Sequence, residues 1–321
     1  MSKPAWLDRL LTWGSFPTIF GGAVAVGLLG FARGWPRGLL VATTVGVAGA
    51  LIVALERIHP HEPRWLRSHG DVGTDLLHGL VTMLALPELL RAAFFGALYV
   101  ASSRLSDAVG FGLWPTGWPL LVQVALALVV TELPYYWWHR LQHESDLLWR
   151  FHAVHHSAPR LYWLNAARFH PVDTLGGYVM QAPVLILLGA PDAVLGMFLI
   201  VTGVHGLFQH ANLRVRLGPL NWVFSMAELH RWHHSRTLEE ANHNYGGNLI
   251  LWDLVFGTRF APAGREPPRD IGIADLPAFP RGYLAQLASP FRWTRVRATA
   301  GAEGSADPRP IGHGIPTDRT L

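Results

Sequence analysis

The chain has 321 residues, half of them hydrophobic and only 15% charged, with 17 His and no Cys. A charged fraction well below the quarter or so usual in soluble domains, with a mean hydropathy of +0.23, excludes a disordered chain and argues for a membrane solvent. The absence of cysteine excludes disulfide scaffolds, thiolate zinc sites, iron–sulfur clusters and cysteine nucleophiles, so any metal must sit on nitrogen and oxygen ligands.

A membrane-spanning helix needs about 20 mostly apolar residues with charges confined to its ends. No charge occurs between Arg9 and Arg33, nor between Arg37 and Glu56, which predicts spans one and two. The first apolar run has no clear small-residue cleavage site and is expected to stay in the mature protein. A third span is expected from about Leu76 to Ala101, interrupted by Glu88 and Arg91, whose i,i+3 spacing lets them pair on one helix face. The run from Ala108 to Thr131 is free of charge and leads into Tyr135, Tyr136, Trp137 and Trp138, an aromatic interfacial end for span four. Two further apolar runs, Thr174 to Pro191 and Ala193 to His210, are broken by Gly189, Pro191 and Asp192 and predict a tight helical hairpin. The fold expected is therefore all-α, a polytopic membrane helix bundle of about four to six embedded helices.

Lys3 and Arg9 precede span one. Arg140, Arg150, Arg160 and Arg168 follow span four, and Arg214, Arg216, Arg231 and Arg236 follow span six. With six spans these all fall on one side, the expected cytoplasmic face, whereas Arg33 and Arg37 fall on the other. A bacterial inner membrane and an endoplasmic reticulum fit this pattern equally. The pI near 9.7 suits anionic lipid headgroups, and no basic–aromatic interleaving points to nucleic acid. Irregular connections are expected at His59 to Gly73, with His59, His61 and His69 solvated, and around Pro115. After about Phe260 the composition turns to Pro, Gly, Arg and Asp, predicting a short folded extension and then a disordered tail from about Ala298 that carries His313. No glycine-rich phosphate loop, nicotinamide fingerprint or flavin fingerprint is present, and no bound haem is expected.

Twelve of the 17 His lie between His139 and His243. His139 and His143 are i and i+4; His152, His155 and His156 are i, i+3 and i+4, and His230, His233 and His234 repeat that pattern. On helices these offsets bring imidazoles onto one face, where rings can converge on an ion. Ser225 followed by Glu228 predicts a capping box before the third group, Pro159 closes the second, and Pro134 is expected to bend the helix ahead of the first. Eight imidazoles exceed the four ligands of one tetrahedral zinc, so two metals are expected, and spacing alone leaves iron, zinc, copper and nickel open. All three groups follow exits on one membrane side and form a histidine-rich helical cap there.

The order HRLQH, HAVHH and HRWHH, with RFHP at Arg168 to Pro171 and NYGGNLILWDLVFGT from Asn244 to Thr258, resembles the fatty acid hydroxylase and sterol desaturase superfamily over about Trp118 to Phe260. The resemblance implies a membrane di-iron oxygenase that uses O2 to hydroxylate or desaturate a lipid C–H bond. It implies that His139, His143, His152, His155, His156, His230, His233 and His234 bind two irons, which zinc can replace in purified protein. His205 and His210 resemble family histidines at the end of a membrane helix, but their spacing here is i,i+5, with Gln209 at i+4. His243 either closes over the metals or caps a loop, and His170 reads as an interfacial structural residue. Ligating imidazoles usually donate their second ring N–H to an acceptor, and Glu132, Asn165, Asn242, Asp253 and Asp146 are candidates.

The domains expected are an N-terminal transmembrane region at 1–116, a di-iron catalytic domain at 117–260, an extension at 261–297 and a tail at 298–321. Hydroxylation of a fatty acyl, sterol, ether-lipid or amino-lipid substrate is the function expected, with an external electron donor such as a cytochrome b5-like protein, a ferredoxin or a reductase. A desaturase with the same di-iron site is the alternative. A His-rich metal transporter is the alternative of another class; it would place His and acidic residues inside the spans, most of which are clean.

Overall fold

The structure is a computed structural model that describes residues 3–303. Its helices are α1 (Ala5–Ala32), α2 (Arg37–Ile58), α3 (Val72–Gly79), α4 (Leu86–Val109), α5 (Leu120–Glu144), α6 (Asp146–His156), α7 (Pro171–Leu187), α8 (Asp192–His210), α9 (Ala227–His233), α10 (Leu238–Ala241), α11 (Leu251–Val255), α12 (Tyr283–Ala288) and α13 (Trp293–Glu303). No strand forms among the described residues; three isolated bridges, Pro60 with Leu213, Phe224 with Leu249 and Ser235 with Ile271, tie loops together. The chain is all-helical, as its composition and periodicity predicted.

Five helices are long and apolar enough to cross a membrane: α1, α2, the continuous Val72–Val109 unit, α5 and α8. Five lies within the four to six embedded helices expected; of the six apolar runs, the fifth, Thr174 to Pro191, is α7, a helix of only 17 residues. A wide turn of π-helix at Leu80–Ala85 joins α3 to α4. It lies just before Pro87, which lacks the N–H of a regular turn and crowds the carbonyl four residues earlier. Glu88 and Arg91 pair at 2.8 Å, as their spacing predicted.

The expected hairpin opens into two layers. α7 packs on α4 and α5, whereas α8 packs on α1, α2 and α5, so α5 stands between the two runs that Pro191 separates. One apolar core runs through this array and contains Phe16, Leu40 and Ile52 of the N-terminal pair, Val124 and Leu128 of α5, and Val204 and Phe208 of α8. Glu56 near the end of α2 is buried and accepts hydrogen bonds from the Trp163 and Asn212 N–H groups, both 2.8 Å, which locks the N-terminal helices to the loops beyond α6 and α8.

The ends of the bundle are chemically distinct. At one end, Arg37 at the start of α2 pairs with Asp192 at the start of α8 at 2.6 Å, which gives that cation a partner at the end away from the histidine boxes. At the other end, His59 is buried, with Nε2 at 3.0 Å from the Thr12 hydroxyl and Nδ1 at 3.4 Å from Lys3. His61 is half-buried against Trp65, and only His69 of this trio is exposed. The solvated loop expected here is instead folded under the N-terminus. One further expectation changes: α13 continues through Glu303, so the segment from Ala298 begins as helix; His313 and the remainder of the tail lie outside the described residues.

Candidate metal centre

Nine histidines gather at the second end of the bundle in two buried groups. The first is His139, His143, His152, His156 and His233, and the second is His155, His210, His230 and His234; within each group one nitrogen per ring lies within 4.8 Å of every other. These are the eight box histidines and His210. The groups adjoin, with the His156 and His234 rings stacked at 4.4 Å.

Helix geometry explains the division. Residues i and i+4 differ by about 40° around a helix, whereas i+3 lies about 60° to the other side. His139 with His143, and His152 with His156, are i,i+4 pairs that face the first group. His155, one position before His156, turns instead to the second. The third box reverses the arrangement, because His230 and His234 enter the second group while His233 crosses to the first. Each adjacent His–His pair therefore serves two sites.

The second ring nitrogens determine the tautomers. Nδ1 of His139 lies 2.6 Å from the Tyr245 carbonyl, Nδ1 of His155 is 3.1 Å from the Arg168 carbonyl, and Nδ1 of His233 is 2.8 Å from the His243 carbonyl. A carbonyl only accepts, so each of these nitrogens carries the proton and each Nε2 presents a lone pair. His152 Nδ1 donates to the Asp173 carboxylate at 2.8 Å. His210 Nδ1 faces the Asn165 amide oxygen at 3.1 Å and His143 Nδ1 that of Asn242 at 3.2 Å.

The Nε2 atoms consequently meet, and for His139 and His152, whose Nδ1 atoms both face acceptors, two lone pairs point at one another. Nε2 of His139 and His152 are 3.1 Å apart, and Nε2 of His210 and His230 are 2.9 Å apart. The buried Nε2 atoms of His143 and His233 have no hydrogen-bond partner. Two ligands at right angles on an ion with metal–nitrogen bonds of about 2.1 Å stand about 3.0 Å apart, so this donor set fits metal ions and would otherwise be self-repelling. Burial, reinforced by neighbouring imidazoles, holds His155, His156, His230, His233 and His234 well below the usual histidine pKa, which keeps them neutral and able to coordinate. The clusters can hold metal ions, and their all-imidazole character leaves the choice among nitrogen-binding metals open.

The remaining candidates divide clearly. His205 is fully buried one and a half turns before His210, joins neither group, and neither of its ring nitrogens has a partner. His243 contributes its backbone carbonyl to His233 while its ring lies against Phe260. His170 accepts from the Val172 N–H and caps α7, as a structural residue would. Glu132 and Asp253 do not touch an imidazole. Asp253 accepts from the Tyr245 and Gly246 N–H groups, both at 2.8 Å, and Glu132 accepts from those of Asn248 and Leu249, so together they shape the loop whose Tyr245 carbonyl orients His139. Asp146 lies in the first turn of α6. The expected capping box is absent: α9 begins at Ala227, the Ser225 hydroxyl has no partner, and Glu228 reaches back to the Leu217 N–H. Sequence reading missed Asp173, whose only local signal is its place in the first turn of α7 after RFHP.

Behind the clusters, two buried ion pairs fix the connecting loop. Arg160 binds Asp71 through two bonds of 2.8 and 2.9 Å, and Arg168 binds Asp75, which also accepts from the Tyr162 hydroxyl at 2.6 Å. Arg231, buried within the third box, donates to the Ala211 and Leu213 carbonyls at 2.9 and 2.7 Å and holds α9 against the end of α8.

The fatty acid hydroxylase family model matches residues 124–258, which include both histidine groups. An ornithine lipid hydroxylase of Rhizobium tropici is 43% identical over 245 residues, covering 75% of this chain and 72% of that protein. An alkylglycerol monooxygenase of Danio rerio is 32% identical over 206 residues, covering 62% of this chain and 44% of that protein. A very-long-chain aldehyde decarbonylase of Oryza sativa subsp. japonica is 28% identical over 146 residues, 44% of this chain and 53% of that protein. No solved structure matches the chain. The histidine geometry and these relatives together establish that the chain belongs to the fatty acid hydroxylase and sterol desaturase superfamily.

Proposed function

We propose that this protein is a di-iron, O2-dependent lipid hydroxylase of the membrane, an oxidoreductase whose substrate is an amino-acid-containing lipid of the ornithine lipid class. The observation that carries the reading is the pair of adjoining buried imidazole groups with their ring nitrogens converging. The substrate class rests on the ornithine lipid hydroxylase relative, whose similarity extends well beyond the histidine boxes. Nothing supports a metal transporter: the named relatives are enzymes, and the histidines meet at one end of the bundle.

In this reading one iron is held by His139, His143, His152, His156 and His233, and the other by His155, His210, His230 and His234. When bound, the irons supply the two-electron activation of O2 by which one oxygen atom enters a C–H bond and the other leaves as water. The protein's own contribution is geometric and dielectric. Asp173 and the carbonyls of Tyr245, Arg168 and His243 hold the imidazoles in the coordinating tautomer, burial excludes water, and the apolar helices present the lipid chain. The two electrons come from an external donor protein, of the cytochrome b5-like, ferredoxin or reductase type. Residues 117–260 form the catalytic unit on the frame of 1–116, and the arginine-rich histidine end faces the cytoplasm.

A lipid comparison of cells with and without the protein, grown under heavy-isotope O2, tests this. The expected result is a lipid gaining one labelled oxygen. Loss of two hydrogens without label assigns the desaturase reaction instead, and an unchanged lipid profile in a host that supplies substrate and electrons rejects the enzyme.

A further inference from the structure

A polar cavity of about 180 Å³ lies beside the histidine groups, between the loop after α6 and the 271–286 segment. That is room for about six waters, ample for a carboxylate or phosphate group. Its wall is joined to the metal-binding groups, because the Gly272 N–H donates to the His234 carbonyl and Ile271 bridges to Ser235.

The cavity is lined by Arg168, Arg236, Arg281 and His69, with Asp71 as its only acidic side chain. Asp71 is already satisfied by Arg160. Arg168 is only 2% exposed; its Nε is committed to Asp75, but its Nη2 is buried without a partner. Arg236 and Arg281 are exposed and form no ion pair with any described residue. A buried guanidinium N–H left unpaired is strongly unfavourable, whereas the planar fork of arginine matches an oxyanion. A lining of one buried arginine and two unpaired ones is thus left with uncompensated positive charge.

We propose that this cavity is a binding site for an anionic oxygen group, a carboxylate or a phosphate, seated on Arg168 and closed over by Arg236 and Arg281. The Arg168 carbonyl holds His155 while the residue also lines the cavity, so one residue joins this site to the metal-binding groups. The anion comes either from a lipid headgroup, in which case the site deepens the functional reading above, or from a free ion of the cytosol.

Calorimetric titration of the purified full-length protein with inorganic phosphate, in nanodiscs of zwitterionic phosphatidylcholine, tests this without any need for turnover. Saturable binding is expected, at least about tenfold weaker in the R236Q/R281Q double variant, which spares the buried Arg168–Asp75 pair. Repeating the titration with phosphatidylglycerol in the nanodiscs separates the sources: competition supports a headgroup, and undiminished phosphate binding supports a free ion. Absence of saturable phosphate binding, or equal affinity in the double variant, overturns the site. Because binding is read directly, that failure leaves the hydroxylase assignment standing.

Discussion

Asp173 shows how a single side chain sets up coordination. Its carboxylate at 2.8 Å from His152 Nδ1 fixes the tautomer and so leaves the lone pair on Nε2. Asp173→Asn keeps the shape but removes the charge, and is expected to weaken metal binding about 10- to 100-fold, read by metal content after dialysis against a chelator. Unchanged retention would remove Asp173 from the site. His155→Ala or His233→Ala is expected to abolish product formation while leaving membrane insertion intact, and undiminished turnover in either variant argues against the two-metal reading. The lowered pKa values give a pH dependence with a definite sign. The unfolded chain takes up protons near pH 6.5 that these buried rings refuse, so the metal-free protein loses stability as pH falls below about 6.5, by up to about 1.4 kcal/mol per group per pH unit. Thermal unfolding of metal-free protein at about pH 7.5 and about pH 5.5 checks this; equal midpoints would contradict it. At this scale the box histidines were legible because their offsets are local. Asp173 was not, since its partner lies across a loop, and backbone carbonyl acceptors have no side-chain signature at all.

Helix-to-helix fit depends on a few small residues. A Cβ at Gly176 of α7 would lie 2.1 Å from the Trp138 ring of α5, whereas one at Gly177 would lie 3.3 Å from Tyr135. Gly176→Ala is therefore expected to cost about 1–3 kcal/mol by overpacking, and Gly177→Ala much less, as separate thermal unfolding midpoints in detergent. Identical midpoints would mean that α5 and α7 are not in this register. The loop from Asn244 to Leu249 is similarly constrained, because a Cβ at Gly246 would meet the Leu249 carbonyl at 2.2 Å. Apolar runs revealed the helices themselves, yet not that α7 and α8 would lie on either side of α5, since a hydropathy pattern marks which residues avoid water and not which helix they meet. The capping box at Ser225 failed for a related reason: Glu228 is taken by the Leu217 N–H and by Arg216, contacts made across a loop.

The whole molecule has two unlike ends, which makes its orientation testable. The chain has no cysteine of its own, so single cysteines report without background. Phe111→Cys, at a residue 64% exposed in the connection between α4 and α5, is expected to react with a membrane-impermeant maleimide in intact cells. Leu284→Cys, at a residue 76% exposed near the histidine end, is expected to react only after permeabilisation. The reverse pattern would invert the proposed sidedness. The sequence by itself determined that this is an all-helical membrane protein carrying more imidazoles than one metal needs, because hydropathy and helical spacing are properties of short stretches of chain. Only the tertiary structure decided that His210 and not His205 completes the second group, that each His–His pair is divided between two sites, and that buried arginine pairs stand behind them. Those outcomes depend on how α5, α6, α8 and α9 meet, and that is settled by side-chain packing between residues far apart in the chain.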